Sequence, residues 1–355
     1  MFGFGTAKNT IGIIKAAYVW ECQMRSLQVG DLVASFTPSF PITARQPARY
    51  QRAIEFIGRQ GLRFLPGHLT GKDDHYRSGS ARERAEELNA LLRNPEVRCV
   101  MSTIGGSNSN ALLPYLDYEA FRRDPKIVVG YSDSTAILLA LYAMTGVPTF
   151  YGPALVASLG EFPPLVDEIW RYFAAIAMEN PAYPLTLPKP THWTEERLPW
   201  ESQDRAKTMQ ANQWRCIQPG RAEGRLIGGN LNTLYGFLAS PYFPAIQPGD
   251  ILLLEDSLKD AATVEKNFAM LKLAGVFDQA GAVLLGKHEG FDDCGSKRTP
   301  ADILLEVLDG LDVPILADFD CCHTHPMLTL PLGVRVRVDT QALRVELLED
   351  WRELV

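Results

Sequence analysis

The chain has 355 residues, of which 46% are hydrophobic and 22% charged, a balance that is typical of folded globular proteins and excludes a disordered one. This length predicts two domains that share an interface. The formal net charge of -7 at pH 7 excludes a general attraction to nucleic acid or to anionic membranes, because both require clustered Lys and Arg.

The N-terminal residues resemble a signal peptide only in part. Lys15 interrupts their apolar middle and no small-residue cleavage site follows, so we interpret residues 1–26 as an N-terminal extension. The longest later apolar run, residues 136–144, is about half of what a membrane span requires. The six cysteines form no CxxC pair, which favours a reducing cytoplasm.

Strand and helix patterns alternate over residues 27–160. The apolar run at 32–36 predicts a strand, and helical periodicity follows its Pro- and Ser-rich loop. Ser80 and Glu83 have the spacing of a capping box, which predicts the start of a second helix. Two more apolar runs, VRCVMST and IVVG, complete a βαβ rhythm that predicts a parallel sheet in an α/β domain.

Residues 161–222 break this rhythm. From residue 181 onward, five prolines precede Glu201, and their density excludes a continuous helix. We therefore predict a long structured connection that carries three of the six tryptophans, namely Trp193, Trp200 and Trp214.

Residues 223–355 predict a second domain. Its patterns are the strand runs RLIGG, ILLLE and GAVLLG, with a helical stretch between the last two. The end of the chain predicts a hairpin. Apolar residues alternate in each of its two strands, at Val334, Val336 and Val338 and then at Leu343, Val345 and Leu347, with an Asp-Thr-Gln-Ala turn between them.

Ser132 stands where the run IVVG meets an apolar helical pattern. Ligands of βαβ proteins bind at the carboxyl ends of the strands, and a serine on such a turn exposes its Oγ beside the N-H groups of a helix N-terminus. The motif departs from G-x-S-x-G because Ser134 occupies the fifth position. Taken alone, the stretch favours the simpler interpretation of a helix N-cap.

Three other patterns supply what a nucleophilic serine requires. Gly105–Gly106 follows a strand and leaves backbone N-H groups for an oxyanion, although a plain turn fits equally well. Glu255 and Asp256 end an apolar run, where a carboxylate can orient an imidazole, and a solvated acidic turn has the same pattern. His323 and His325 are candidate bases. Their segment, CCHTH, is too tightly spaced to wrap one metal ion, and no second ligand cluster accompanies it.

Together, five motifs resemble the serine peptidases that include the LD-carboxypeptidases and the microcin C immunity proteins. In chain order they are GGSNSNALLPYLDY, GYSDST, GRLIGGNLNTL, ILLLED and HTHPMLTLPLG. The resemblance covers about residues 27–350. The resemblance implies an N-terminal flavodoxin- or Rossmann-like domain, a C-terminal mixed β-rich domain of the swivelling type, and an active site at their interface. It also implies a homodimer and a hydrolase that needs no metal or organic cofactor.

The resemblance implies a Ser-His-Glu catalytic triad. Ser132 would be the nucleophile, His323 the general base and Glu255 the carboxylate that orients it. The backbone N-H groups of Gly106 and Asp133 would form the oxyanion hole.

The loop before the histidine departs from the family pattern. Cys322 stands where the family usually has a small residue, so that either a crowded loop or a reactive thiol is expected there. His325 is the alternative base, and the spacing to Pro326 favours His323.

Two substrates fit this chemistry. A microcin C immunity-type enzyme would cleave an amide-type bond between an aminoacyl or peptidyl group and a nucleotide-like moiety, whereas an LD-carboxypeptidase would release the terminal D-alanine of a murein tetrapeptide during peptidoglycan recycling. The tryptophan-bearing loop favours the first, because adenine stacks on aromatic rings and D-alanine does not. A protein that binds a peptide or nucleotide without catalysis is the third interpretation.

Five residues are candidate substrate contacts. Trp193 and Trp200 would hold the nucleoside, Lys259 would attract an acidic aminoacyl group, and Asn110 and Asn232 would bind polar groups. Packing of the tryptophans on the core and a solvated lysine explain the same residues without a ligand.

Overall fold

The computed structural model describes residues 24–321 and 323–354. In these ranges the strands are β1 Leu32–Phe36, β2 Arg63–Leu65, β3 Val97–Ser102, β4 Ile127–Gly130, β5 Thr149–Tyr151, β6 Leu185–Thr186, β7 His192–Trp193, β8 Gln210–Ala211, β9 Arg215–Gln218, β10 Arg221–Asn230, β11 Asp250–Glu255, β12 Ala280–Gly286, β13 Ile315–Phe319, β14 Leu330–Leu332, β15 Arg335–Asp339 and β16 Arg344–Leu347. The α-helices are α1 Ile42–Arg45, α2 Pro47–Arg59, α3 Ala81–Arg93, α4 Tyr118–Arg123, α5 Thr135–Thr145, α6 Leu165–Ala177, α7 Leu231–Tyr235, α8 Ala261–Leu273, α9 Val276–Gln279 and α10 Pro300–Leu308.

The first sheet has the order β14-β5-β4-β3-β1-β2. Its first five strands in the chain are parallel, in the flavodoxin-like order 2-1-3-4-5, and β14 joins β5 antiparallel. Strands β1 and β4 are fully buried and, apart from Ser35, apolar, because a parallel sheet is covered on both faces. The predicted α/β domain is confirmed.

The capping box at Ser80 is also confirmed. The Ser80 hydroxyl accepts the Glu83 N-H at 3.3 Å, while the Glu83 carboxylate accepts the Ser80 N-H at 2.9 Å. Helix α3 begins directly after this pair, since two of its otherwise unpaired first-turn donors are satisfied there.

The second sheet has the order β6-β16-β15-β10-β11-β12-β13-β9. Strands β10 to β13 are parallel neighbours, and antiparallel strands extend the sheet on both sides. This mixed sheet confirms the β-rich character expected for the C-terminal half. The connection between the sheets contains β6 and the small pair β7 and β8.

The C-terminal hairpin differs from the expectation at its turn. Strand β15 ends at Asp339 and β16 begins at Arg344, so that Leu343 lies in the turn with a φ of +50°. Val334 precedes the hairpin, and its carbonyl accepts the Leu226 N-H at 2.9 Å. Within the two strands, at Val336, Val338, Val345 and Leu347, the predicted alternation holds, because side chains on one face of a strand recur every second residue.

Some of the predictions from the sequence concern residues that the structure does not describe. Most of the extension, residues 1–23, and Cys322 are not described, whereas Met24 and Leu27 are buried. Where the chain is described, it contains no helix that is both long and apolar enough to span a membrane. The domain limits at residues 27, 160 and 222 stay predictions.

Candidate active site

Ser132 lies on a sharp turn between β4 and α5. Its φ is +61°, a left-handed conformation that costs a non-glycine residue about 1–3 kcal/mol and often occurs at functional sites. The N-cap of α5 is Ser134 and not Ser132, and Ser134 makes no side-chain capping bond. The N-cap interpretation therefore does not explain the serine, which lines a cavity of about 260 Å³.

Tyr151 joins the backbone of this turn to a carboxylate of the second sheet. The Ser132 N-H donates to the Tyr151 hydroxyl at 3.2 Å, and that hydroxyl donates to Glu255 Oε1 at 2.5 Å. Burial and the adjacent Glu255 charge raise the pKa of Tyr151 well above its ordinary value. The phenol therefore stays protonated and can donate this hydrogen bond.

Glu255 ends β11 and is completely buried. Its Oε2 lies 2.8 Å from His323 Nδ1, and its Oε1 also accepts from Asn230 Nδ2 at 3.1 Å. Burial alone would raise the pKa of Glu255, but the His323 charge and the hydrogen bonds outweigh it and lower the pKa below the ordinary value. The carboxylate therefore stays ionised and fixes the orientation of the imidazole.

His325 has a different environment from His323. It is buried, and its backbone pairs in both directions with Thr194 at 2.8 and 3.0 Å. Burial and then the positive charge of Lys207 hold the pKa of His325 well below its ordinary value. Both histidines line the cavity, and it is His323 whose ring meets the Glu255 carboxylate.

The Gly105–Gly106 loop packs against the serine turn. A Cβ on Gly105 would lie 2.7 Å from Ser132 Cβ and 2.8 Å from the Asp133 nitrogen. Gly106 has a φ of +150°, and a Cβ there would collide with Ser39 Oγ. Only glycine fits at either position.

Asp133 ties the two loops together. Its carboxylate accepts the N-H groups of Asn108 and Ser109, each at 2.9 Å. Burial raises the pKa of Asp133, although these hydrogen bonds oppose the shift. The side chain therefore has a structural task, and the backbone N-H of Asp133 remains the predicted oxyanion donor.

The two candidate tryptophans lie in different places. Trp200 lines the cavity of Ser132 and His323, and the Arg49 guanidinium carbon lies 4.4 Å from its ring centroid. Trp193 lines a separate cavity of about 360 Å³, with Lys287 Nζ 5.3 Å from its ring centroid. The third tryptophan of the loop, Trp214, is a core residue whose Nε1 donates to Asp320 at 2.7 Å.

The three polar candidates lie outside the residues that line the Ser132 cavity. Two of them surround the buried Asp256: Lys259 Nζ is 3.9 Å from its carboxylate, and the Asn232 N-H donates to it at 3.1 Å. Asn110 Nδ2 donates to the Gly236 carbonyl at 3.0 Å. The structure therefore groups Lys259 with Asn232, while Asn110 connects the short 3-10 helix Ser109–Tyr115 to the end of α7.

The sequence reasoning missed several residues of the site. The sequence could have indicated Asn230, because this residue ends a strand. In the structure it lies opposite Glu255 in the register of β10 and β11. Tyr151 ends β5 in the same way. Without any motif of their own, four further residues line the cavity, namely Arg197, Lys207, Leu258 and Glu289.

No metal centre is built by the residues that are described. Among them, no group of three or more His, Cys, Asp or Glu side chains is arranged to hold an ion. Cys321 is buried, and Cys322 lies outside the described ranges.

Comparisons with known proteins agree with this fold. The family model of the LD-carboxypeptidase N-terminal domain matches residues 33–152, and that of the C-terminal domain matches residues 223–338. A Vibrio cholerae protein named as a carboxypeptidase is 54% identical over 92% of this chain and 98% of its own length. The microcin C7 self-immunity protein MccF of Escherichia coli is 49% identical over 92% of this chain and 95% of its own length.

The solved structure of MccF with aspartyl sulfamoyl adenosine superposes with a TM-score of 0.90 at 49% identity, covering 93% of this chain and 99% of the other. The two halves of the chain therefore match the two domains of one enzyme family in order, and the relatives match over 92% of the chain. The protein belongs to the LD-carboxypeptidase family of serine peptidases, together with the microcin self-immunity protein MccF.

Proposed function

We propose that the protein is an immunity-type serine hydrolase that cleaves an amide-type bond between an aminoacyl or peptidyl group and a nucleotide-like moiety. The observation that carries the proposal is that His323, whose ring contacts the buried Glu255, lines the same cavity as Ser132 with its strained backbone. A nucleophile, a base and an orienting acid are the three groups that acyl transfer requires.

In the proposed mechanism, Ser132 Oγ attacks the carbonyl carbon. His323 donates Nδ1-H to Glu255, so its Nε2 takes the serine proton and then returns it to the leaving nitrogen. The N-H groups of Gly106 and Asp133 stabilise the oxyanion, and removing one such donor typically costs about a hundredfold or more in kcat. Water then hydrolyses the acyl-enzyme with His323 as base.

The nucleoside part of the substrate is supported by the relatives and by Trp200. MccF was solved with aspartyl sulfamoyl adenosine, with glutamyl sulfamoyl guanosine and, as a tryptophan-to-phenylalanine mutant, with adenosine monophosphate. Trp200 is the candidate tryptophan beside the Ser132 cavity, and stacking of a base on it would contribute about 1–3 kcal/mol. We assign Trp193 to the neighbouring cavity as a secondary contact.

Polar recognition is proposed for Asn232 and Lys259. MccF was also solved as an active-site mutant in which a serine, an asparagine and a lysine are replaced by alanine. Ser132, Asn232 and Lys259 are residues of these types, and the last two both contact Asp256. Asn110 remains a candidate at the edge of the site.

A murein peptide is the second candidate substrate. The matching family models describe LD-carboxypeptidase domains, and the Vibrio cholerae relative is named as a carboxypeptidase. The bond chemistry would be the same and the leaving group would be D-alanine.

Mass spectrometry of reaction mixtures tests the proposal. Wild type and Ser132→Ala are incubated separately with glutamyl sulfamoyl adenosine and with a murein tetrapeptide. We expect wild type to cleave the nucleoside compound and Ser132→Ala to lose about a thousandfold or more of that activity with unchanged circular dichroism. Release of D-alanine from the tetrapeptide alone would assign the protein to the carboxypeptidase branch, and full activity of Ser132→Ala would refute the nucleophile.

We also propose that the protein is a homodimer and that it is cytoplasmic. The dimer follows from the family resemblance and the compartment from the cysteine pattern. Native mass spectrometry of the purified chain tests the first, and fractionation of the producing cells tests the second.

A further inference from the structure

Glu289 occupies a fixed position in the cavity of Ser132 and His323. It follows β12, which is the parallel neighbour of the strand that ends in Glu255. Its carbonyl accepts the Leu258 N-H at 2.7 Å, and the next residue, Gly290, donates its N-H to Glu195 Oε2 at 3.0 Å. The backbone is therefore held on both sides of Glu289.

The carboxylate of Glu289 has no protein partner in the described ranges. Within them it makes no hydrogen bond and no ion pair within 4.0 Å, whereas Glu255, Asp256 and Asp133 are all paired. Burial raises the pKa of Glu289, and the more distant charges of His323, Arg197 and Lys207 oppose this. A partly buried carboxylate without a partner is destabilising, and a ligand cation would relieve this cost.

The chemistry of an aminoacyl conjugate supplies such a cation. In a free aminoacyl group the α-ammonium nitrogen lies about 2.5 Å from the scissile carbonyl carbon, because one Cα separates them. A group that binds this ammonium must therefore lie beside the nucleophile and the base. Glu289 shares their cavity, and its titration is coupled to the charge of His323.

We propose that Glu289 binds the free α-ammonium group of the aminoacyl substrate and so selects conjugates whose scissile carbonyl belongs to an unacylated amino acid. This specificity rests on the proposed hydrolase function. A residue inside a murein peptide has an uncharged amide nitrogen at the same position, so that Glu289 would favour aminoacyl conjugates over internal peptide residues.

Paired substrates test the assignment. Glutamyl sulfamoyl adenosine and its N-acetyl derivative are compared with wild type, Glu289→Gln and the control Glu119→Gln, which changes an exposed carboxylate that pairs with Arg122 at 2.7 Å outside the site. We expect wild type to prefer the free amine and Glu289→Gln to reduce the ratio of the two kcat/KM values about ten- to a hundredfold, as expected for a charged hydrogen bond. The control should keep the wild-type ratio.

An equal loss of activity on both substrates would overturn the proposal, because it would mean that Glu289 acts on His323 or on the fold. Calorimetric binding of the same pair to Ser132→Ala provides a readout that needs no turnover. Equal affinity for the free and acetylated compounds would also overturn it.

A nucleoside-free substrate separates this proposal from the function on which it rests. Glutamyl p-nitroanilide and its N-acetyl derivative carry the same amine without a nucleoside. If wild type prefers the free amine of the anilide but does not cleave the nucleoside compound, the proposed function is wrong and Glu289 is supported. If it cleaves the nucleoside compound without any amine preference, only the assignment of Glu289 is wrong.

Discussion

Tyr151 connects the two halves of the site through one hydroxyl group. It accepts from the Ser132 N-H and donates to Glu255, so that it links the turn of the nucleophile to the acid of the other sheet. Its ring is fully buried and does not line the cavity. The hydroxyl therefore positions two groups of the proposed triad without reaching the substrate.

Replacing Tyr151 by Phe should affect turnover more than substrate binding. We expect kcat to fall about ten- to a hundredfold while KM changes little, because a hydrogen bond to a buried charge is lost outside the cavity. Steady-state kinetics measures this split. Tyr142→Phe, which removes a hydroxyl 3.3 Å from Arg225, is the matched control and should leave kcat unchanged. A rise in KM alone for Tyr151→Phe would contradict the positioning role.

Among the elements, α2 holds the tryptophan-bearing loop through one buried arginine. Arg49 is completely buried, and its guanidinium donates to the carbonyls of Val156 and Ala157 at 2.9 and 2.8 Å. It also donates to Gln203 at 2.6 Å and to Glu161 at 2.8 Å. The helix, the segment after β5 and the loop are thereby joined.

This network supports two residues of the cavity wall. Lys207 Nζ lies 3.2 Å from the Glu161 carboxylate, and the Arg49 guanidinium stacks over the ring of Trp200. Trp200 and Lys207 belong to a segment with little regular structure. Their placement therefore depends on the ion cluster beneath them.

Glu161→Gln should destabilise the protein and change its response to acid. Burial alone would raise the pKa of Glu161, but the charges of Arg49 and Lys207 lower it from 4.5 to about 2. Because the folded pKa lies below the unfolded one, this stabilisation is complete above about pH 4.5 and is lost as the pH falls towards about 2, amounting to about 3 kcal/mol. The substitution also leaves Arg49 buried without its partner, at a cost of about 3–5 kcal/mol at pH 7.

Urea unfolding at pH 7, 4 and 3 measures this effect. Wild type should lose stability between pH 4 and pH 3 more steeply than Glu161→Gln. The exposed Glu201, which accepts the Ala48 N-H at 3.1 Å, provides the control, and Glu201→Gln should keep the wild-type slope. Parallel curves for wild type and Glu161→Gln would refute the assigned charge pairing.

At the scale of the whole molecule, the C-terminal half packs back onto the first sheet. Strand β14 pairs with β5, and Trp351 lies buried with its ring centroid 5.0 Å from that of Phe150. Trp351 Nε1 donates to the Ile176 carbonyl at 3.1 Å. Strand β14 and Trp351, both from the C-terminal half, therefore belong to the first sheet and its core.

This interlocking predicts one cooperative unfolding transition. Trp351→Ala should lower the free energy of unfolding by about 3–5 kcal/mol and shift the whole transition, because it opens a cavity where the C-terminal residues pack on the first sheet. Differential scanning calorimetry measures the result. Two separate transitions, of which only one moves in the variant, would show that the halves unfold independently.

The sequence by itself determined the elements and the residue types of the site. Apolar runs predicted strands β1, β3, β4, β10, β11, β12, β15 and β16, and the Ser80–Glu83 spacing predicted a helix start. The turn at Ser132 could also be predicted, because the end of a strand is a local feature of the sequence. Side-chain periodicity and capping act over a few neighbouring residues, so that they can be read without any distant contact.

Only the tertiary structure decided which of these residues meet. Glu255 and His323 are 68 residues apart, and their 2.8 Å contact arises from the packing of two strand ends. The sequence pattern indicated neither the separation of Trp200 from Trp193 nor the Glu289 carboxylate that has no partner among residues 24–321 and 323–354. Such contacts depend on how the two sheets and the long connection pack, because burial and charge pairing act between segments that local propensity does not relate.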